Sequence, residues 1–136
     1  MKVLVATDGS SHSMKAVERG LELAENQGAQ VTLMSVAYFV ADYMEGMPNL
    51  LEKLEEEASN VLKKAKALFD AKKLPVEMVL STGPVPANLI ILRAREGKFD
   101  RIIIGSTGRN ALEQVIMGTT ASKVVANAPC EVTVVR

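Results

Sequence analysis

Short apolar runs of strand length alternate with longer segments of helical period along this chain, and that alternation restricts its fold more than any other feature. Val3–Thr7 is a continuous β-rich run, as is Val31–Val36 after Gln30. Runs that lack polar alternation suit strands covered on both faces, as in a parallel sheet whose crossover connections lay helices over it. Val76–Leu80, Arg101–Ile104 and Val132–Val135 repeat the pattern, each introduced by a turn or helix-stop residue: Pro75, Gly97 and Pro129. The expected class is α/β. A single domain over 1–136 buries roughly two thirds of its unfolded surface and needs no disulfide or structural metal.

The helical segments carry their own boundaries. Met14, Val17, Leu21 and Ala24 stack on one face of a first helix, with Ser10, Ser11 or Ser13 as its cap and Gly28 as its stop. Leu51, Leu54, Ala58, Val61, Ala65 and Leu68 mark a second, starting from Asn49. Its acidic early half (Glu52, Glu55, Glu56, Glu57) and basic late half (Lys63, Lys64, Lys66, Lys72, Lys73) follow the helix dipole, so these charges read as a solvated face. A third helix fits Pro86–Glu96, with Pro in its first turn and Gly97 beyond its end. The segment Ala37–Pro48, with Tyr38, Phe39, Tyr43, Met44 and Met47, exceeds an ordinary connection and is expected to be a lid or a partner contact.

Charge and composition remove several function classes. Sixteen Lys+Arg balance 16 Asp+Glu, which leaves no basic footprint for general nucleic-acid binding. No apolar stretch approaches the roughly 20 residues of a bilayer span, and the N-terminus reads as a strand rather than a secretion signal. The one Cys allows no internal bridge and, with seven Met, suits a cytoplasmic location. Cys130 has no basic neighbour in sequence to activate it and is expected in the core. His12, the only His, lies near the first loop, where it could be recruited as a base, but a lone His after a turn is more often a surface or capping residue.

The segment with chemical content is Ile102-Ile103-Ile104-Gly105-Ser106-Thr107-Gly108-Arg109, followed by Gly118-Thr119-Thr120 and a helix-forming run. Strand, glycine loop and helix start together suit an anion: glycines admit close backbone approach, and free N–H groups at a helix N-terminus attract negative charge. Thr119 and Thr120 add hydroxyl donors, Arg109 adds a positive charge, and Ser106 or Thr119 could help hold a divalent ion bridging phosphate oxygens. Neither G-x-x-x-x-G-K-[ST] nor G-x-G-x-x-G is present, so the site is neither a P-loop nor a dinucleotide fingerprint. Glycines and hydroxyls of this kind also make ordinary turns and caps.

The full spacing, Gly105, Gly108, Gly118 and Thr119 in the pattern G-x2-G-x9-G-[ST], resembles the nucleotide-binding motif of the universal stress protein family. Val3-Leu4-Val5-Ala6-Thr7-Asp8-Gly9-Ser10 is similar to that family's first strand and acidic loop, and Ala128–Arg136 to its last strand. The likeness covers the whole chain. It implies an open, five-stranded parallel sheet in the order 3-2-1-4-5, with helices on both faces, of the adenine nucleotide alpha hydrolase-like kind. Strands 1 and 4 then adjoin at a topological switch point, where ligands of such sheets bind. The resemblance further implies an adenine nucleotide, ATP or AMP, accompanied by Mg2+ or Mn2+. Ala6, Thr7 and Asp8 would meet the adenosine, the backbone of Val36 the adenine, and Gly105 the ribose, with Ile104 and Ser106 counted among the nucleotide-binding residues. Gly108, Gly118, Thr119 and Thr120 would present backbone and hydroxyl donors to the phosphates, beside the charge of Arg109 noted above.

Two positions depart from the family's usual pattern: Arg101 stands where an apolar residue is usual and Glu131 where Pro is frequent. The uncharged terminal strand Val132–Val135 is expected to pair with a second copy as a homodimer. The function so implied is a nucleotide-binding regulatory protein of the stress response. The alternatives are a slow ATPase, which lacks an evident base and cations, and a scaffold that binds no nucleotide.

Overall fold

The computed structural model describes residues 1–44, 46–107 and 117–136. Five parallel strands, β1 (Lys2–Ala6), β2 (Gln30–Tyr38), β3 (Glu77–Gly83), β4 (Arg101–Gly105) and β5 (Glu131–Val135), form one sheet in the order β3-β2-β1-β4-β5. The helices are α1 (Ser11–Gln27), the single turn α2 (Ala41–Met44), α3 (Leu50–Ala71), α4 (Pro86–Glu96) and α5 (Thr119–Asn127). The α/β class and the 3-2-1-4-5 order expected from sequence are both present.

The unbroken apolar runs acquire their meaning from two cores. Val3 and Val5 point to the face covered by α1 and α3, joining Val17, Leu33, Leu62, Phe69 and Ile103. Leu4 and Ala6 point to the opposite face, joining Met34, Ile90, Ile91, Ile102, Ile104 and Val124 under α4 and α5. Side chains alternate across a strand, so a strand coated on both sides must be apolar at every step. Each such buried aliphatic side chain contributes about 1.5–3 kcal/mol relative to exposure.

Local signals set the helix ends. Ser10 caps α1 with backbone in the extended region, and Gly28 ends it in the left-handed conformation at φ 67°. Ser13 is no cap; it is buried inside the first turn. Asn49 does precede α3, but at φ 62° and without a side-chain capping bond. The buried seam of α3 is Ala58, Leu62, Ala65 and Phe69, so Leu62 and Phe69 replace the expected Val61 and Leu68 at its centre. α4 spans the expected Pro86–Glu96.

β2 and β3 run longer than their sequences suggested, to Tyr38 and Gly83, and remain paired to that point. Ala37 and Tyr38, expected in a loop, therefore belong to the sheet. The two departures from the family pattern are cross-strand partners: Arg101 pairs with Glu131 in the β4–β5 register, and their side chains meet at 3.2 Å. No helix among the described residues is long and apolar enough to cross a membrane.

Candidate functional site

Strands of unequal length create the site. β1 ends at Ala6 and β4 at Gly105, paired as neighbours through Ala6 and Ile104. After that only the N–H of Thr7 still reaches β2, at the Met34 carbonyl (2.9 Å), while β2 and β3 continue beyond. The resulting cleft of about 1030 Å³ opens at the carboxyl edge of the sheet. Its floor is Ala6, Thr7, Asp8, Ile104, Gly105 and Ser106; Val36 to Tyr38 form one flank, and Gly118, Thr119 and Thr120 another. Thus the residues expected at Ala6, Thr7, Asp8, Val36, Ile104, Gly105, Ser106, Gly118, Thr119 and Thr120 all line one hollow. Gly108 and Arg109 lie outside the described residues.

The loop after β1 is held rigid by its own polar groups. The Thr7 hydroxyl, in a buried residue, lies 2.8 Å from Ser13 Oγ and accepts the N–H of Gly9 at 3.2 Å. Ser13 Oγ donates onward to the Ser10 carbonyl (3.0 Å) and accepts from the Asp8 N–H (3.3 Å). One carboxylate oxygen of Asp8 accepts the N–H of Ser10 at 2.9 Å, closing a turn of the kind Asp favours. Gly9 makes this path possible at φ 84°, where an added Cβ would also lie 3.0 Å from Val61 of α3.

Gly105 has a reason the sequence did not show. A Cβ there would sit 2.8 Å from the backbone C of His12 and N of Ser13, so the strand end passes directly against the first turn of α1. Closeness to protein backbone is thus enough to demand glycine. His12 itself is neither a cap nor a free surface group: its Nδ1 bonds Thr107 Oγ1 and lies 3.4 Å from Ser106 Oγ. It braces the turn after β4 from behind the cleft wall.

The backbone of Ser106 is fully used, its N–H donating to the Val135 carbonyl (2.7 Å) and its carbonyl accepting from Gly118 (2.6 Å). The N–H of Gly118 is therefore spent within the protein and is not a donor for a ligand, contrary to expectation. Donors begin one residue later. Gly118 is the N-cap of α5 and brings no side-chain cap, and Ser122 is the first N–H to close back on the helix, at the Gly118 carbonyl (2.9 Å). The amides of Thr119, Thr120 and Ala121 occupy the first turn, on residues that line the cleft. A helix end left in this state favours an anion.

Other walls were not foreseen. Leu50, Leu54 and Ala58 of α3 and Pro84, Pro86, Ala87 and Ile90 around α4 give the hollow an apolar side. They look like ordinary helix-face residues in sequence, and only the overrun of β2 and β3 turns them inward. Among the described residues the acidic side chains on the wall are Asp8 and Glu57 and the basic one is Lys123. No group of three or more His, Cys, Asp or Glu that could hold a metal occurs among the described residues. Cys130 lies at the other edge of the sheet, partly buried, where burial and the nearby Asp100 and Glu131 carboxylates push its thiol pKa up. That is the opposite of activation.

The profile of the universal stress protein family matches residues 1–136. The chain belongs to that family. Universal stress protein MJ0531 of Methanocaldococcus jannaschii is 34% identical over 139 residues, spanning 99% of this chain and 81% of the relative. Universal stress protein YxiE of Bacillus subtilis is 31% identical, over 99% and 98%. Among solved structures, UspA from Lactobacillus plantarum superposes with a TM-score of 0.88 at 26% identity, covering 100% of this chain and 97% of that one. More distant members of the universal stress protein fold include a complex with cAMP (TM-score 0.75), an Archaeoglobus fulgidus protein with dAMP (0.76) and an Arabidopsis thaliana protein with AMP (0.71). These are 17 to 21% identical and cover 99 to 100% of this chain and 90 to 98% of their own.

Proposed function

We propose that the cleft binds an adenine nucleotide, ATP or AMP, and that the protein works as a nucleotide-responsive regulatory module of the stress response. The observation that carries this reading is the meeting of two sequence-distant elements at one hollow: the Asp8 loop after β1 and the uncapped first turn of α5. The apolar side, with Val36, Pro84 and Ile90, suits a base, and the α5 amides suit a phosphate. Family members bound to cAMP, dAMP and AMP support the ligand class.

Mg2+ or Mn2+ entering with the nucleotide fits the hard oxygen donors of the site. Phosphate oxygens would supply most of its ligands, with the Thr119 hydroxyl as the nearest protein contribution. Ser106 is the poorer candidate, since it is buried and its hydroxyl neighbours His12 Nδ1. We read the site as one of binding, with slow phosphate release at most. The residue best suited as a base, His12, has its Nδ1 engaged with Thr107 behind the wall. A second copy pairing along the outer strand β5 belongs to the same proposal, because β5 ends the sheet and Val132–Val135 remain only partly buried.

Calorimetric titration with ATP, AMP and cAMP, with and without Mg2+, tests the reading. Binding is expected, and Gly118→Val, which adds bulk at the mouth of the α5 turn, is expected to abolish it without changing the thermal transition. Undiminished affinity in that variant rejects the site. Light scattering on the same samples is expected to give twice the chain mass; a monomer mass rejects the β5 pairing.

A further inference from the structure

We propose that Lys123 makes the cleft sensitive to the number of phosphates, favouring a nucleoside triphosphate over the monophosphate. This rests on the adenine-nucleotide reading above and adds a specificity determinant to it. Lys123 lies on α5 one turn beyond Thr119 and Thr120 and lines the same cleft. Lys123 also borders the groove that Asn88, Ile91, Leu92, Arg95 and Asn127 form between α4 and α5, and side chains on a helix lean toward its N-terminus, which is the direction of the first turn of α5.

Its charge has no ion-pair partner among the described residues. Lys66, Lys72 and Arg101 each meet a carboxylate, Asp70, Glu25 and Glu131 respectively, at 2.9 to 3.2 Å. Lys123 is exposed, and among the described residues no carboxylate lies within ion-pair distance of it. What it does contribute to the fold is backbone: its carbonyl accepts from Asn127 Nδ2 at 2.9 Å. It is also the one basic side chain on the described wall, facing a hollow whose acidic members are Asp8 and Glu57.

The two kinds of donor do different work. Three adjacent amides at a helix end are fixed in space and are saturated by a single phosphate. Further phosphates bring added negative charge without added amides. A flexible ammonium acts as a point charge that follows them. AMP therefore draws little on Lys123, whereas ATP draws on it as well as on the first turn of α5.

The experiment is calorimetric titration of the intact protein with ATP, ADP and AMP, comparing the unmodified chain with Lys123→Gln and Lys123→Arg at low and high salt. The unmodified chain is expected to bind ATP at least about tenfold more tightly than AMP. Lys123→Gln is expected to weaken ATP about tenfold while leaving AMP within about twofold, and Lys123→Arg to keep the preference. High salt should erode the ATP advantage selectively. An unaltered ATP preference in Lys123→Gln, or equal losses for ATP and AMP, overturns the inference and leaves the nucleotide reading standing. Failure of the unmodified chain to bind any of the three overturns the nucleotide reading itself.

Discussion

At the amino ends of its strands this protein is fastened to itself, whereas at the carboxyl ends it stops short of doing so. On the amino side the Lys2 N–H donates to an Asp100 carboxylate oxygen (2.7 Å) and the Asp100 N–H returns to the Lys2 carbonyl (2.8 Å). The Lys2 ammonium lies 4.7 Å from the centre of the Phe99 ring and donates to the Gly97 carbonyl, and Arg101 meets Glu131 across β4 and β5. On the carboxyl side the polar groups fall into two sets. Thr7, Ser13, Ser106 and His12 are engaged with one another or their neighbours, whereas the first turn of α5, which has no side-chain cap among the described residues, borders the hollow. The difference teaches where rigidity belongs: polar closure behind the wall fixes the loops that border the hollow, which is what the proposed binding site requires.

The comparison is broken most severely at Gly105. Gly105→Ala places a Cβ against the backbone of His12 and Ser13, which cannot swing aside as a side chain would, and is expected to lower stability by about 3 kcal/mol. Urea denaturation measures it; a loss under about 0.5 kcal/mol, the range of an ordinary surface change, would show that α1 and β4 do not press together as described. Next is Thr7→Val, which keeps the shape but strands the Gly9 N–H and removes the bond between the Thr7 and Ser13 hydroxyls, with an expected loss of about 2 kcal/mol. Its midpoint in the same assay, if unchanged, removes the argument for a rigid wall. Smallest is Glu131→Gln on the fastened edge. The Glu131 side chain is 74% exposed, so the variant should shift stability by no more than about 0.5 kcal/mol. A larger loss would mean that β5 depends on this ion pair to enter the sheet.

Much of the fold was legible because its signals are local. The apolar runs named all five strands, Pro86 and Gly97 bracketed α4, and Ser10 and Gly28 stood at the ends of α1. The centre of the α3 seam was not legible: Val61, Leu62, Ala65, Leu68 and Phe69 make a stripe wide enough for two centres, and only contact with Gly9 commits Val61 elsewhere. At the cleft, Gly105 and Thr119 were singled out by spacing and Asp8 by the likeness of the first strand and its acidic loop, all of them properties of the chain. The bond of His12 to Thr107 and the place of Lys123 on the cleft wall were not legible, because they depend on which elements meet, and sequence rhythm does not encode that. The same holds for Gly118, whose amide is claimed by Ser106 across the turn.

Because the hollow arises from two strands outrunning their neighbours, its existence is independent of the side chains that happen to decorate it. Under the proposed function, exchanges at cleft-lining positions such as Pro84 or Lys123 would alter what fits while the strand lengths that make the hollow stay the same. A scaffold of this kind can change its chemical allegiance in small steps, keeping its architecture while its molecular signal drifts.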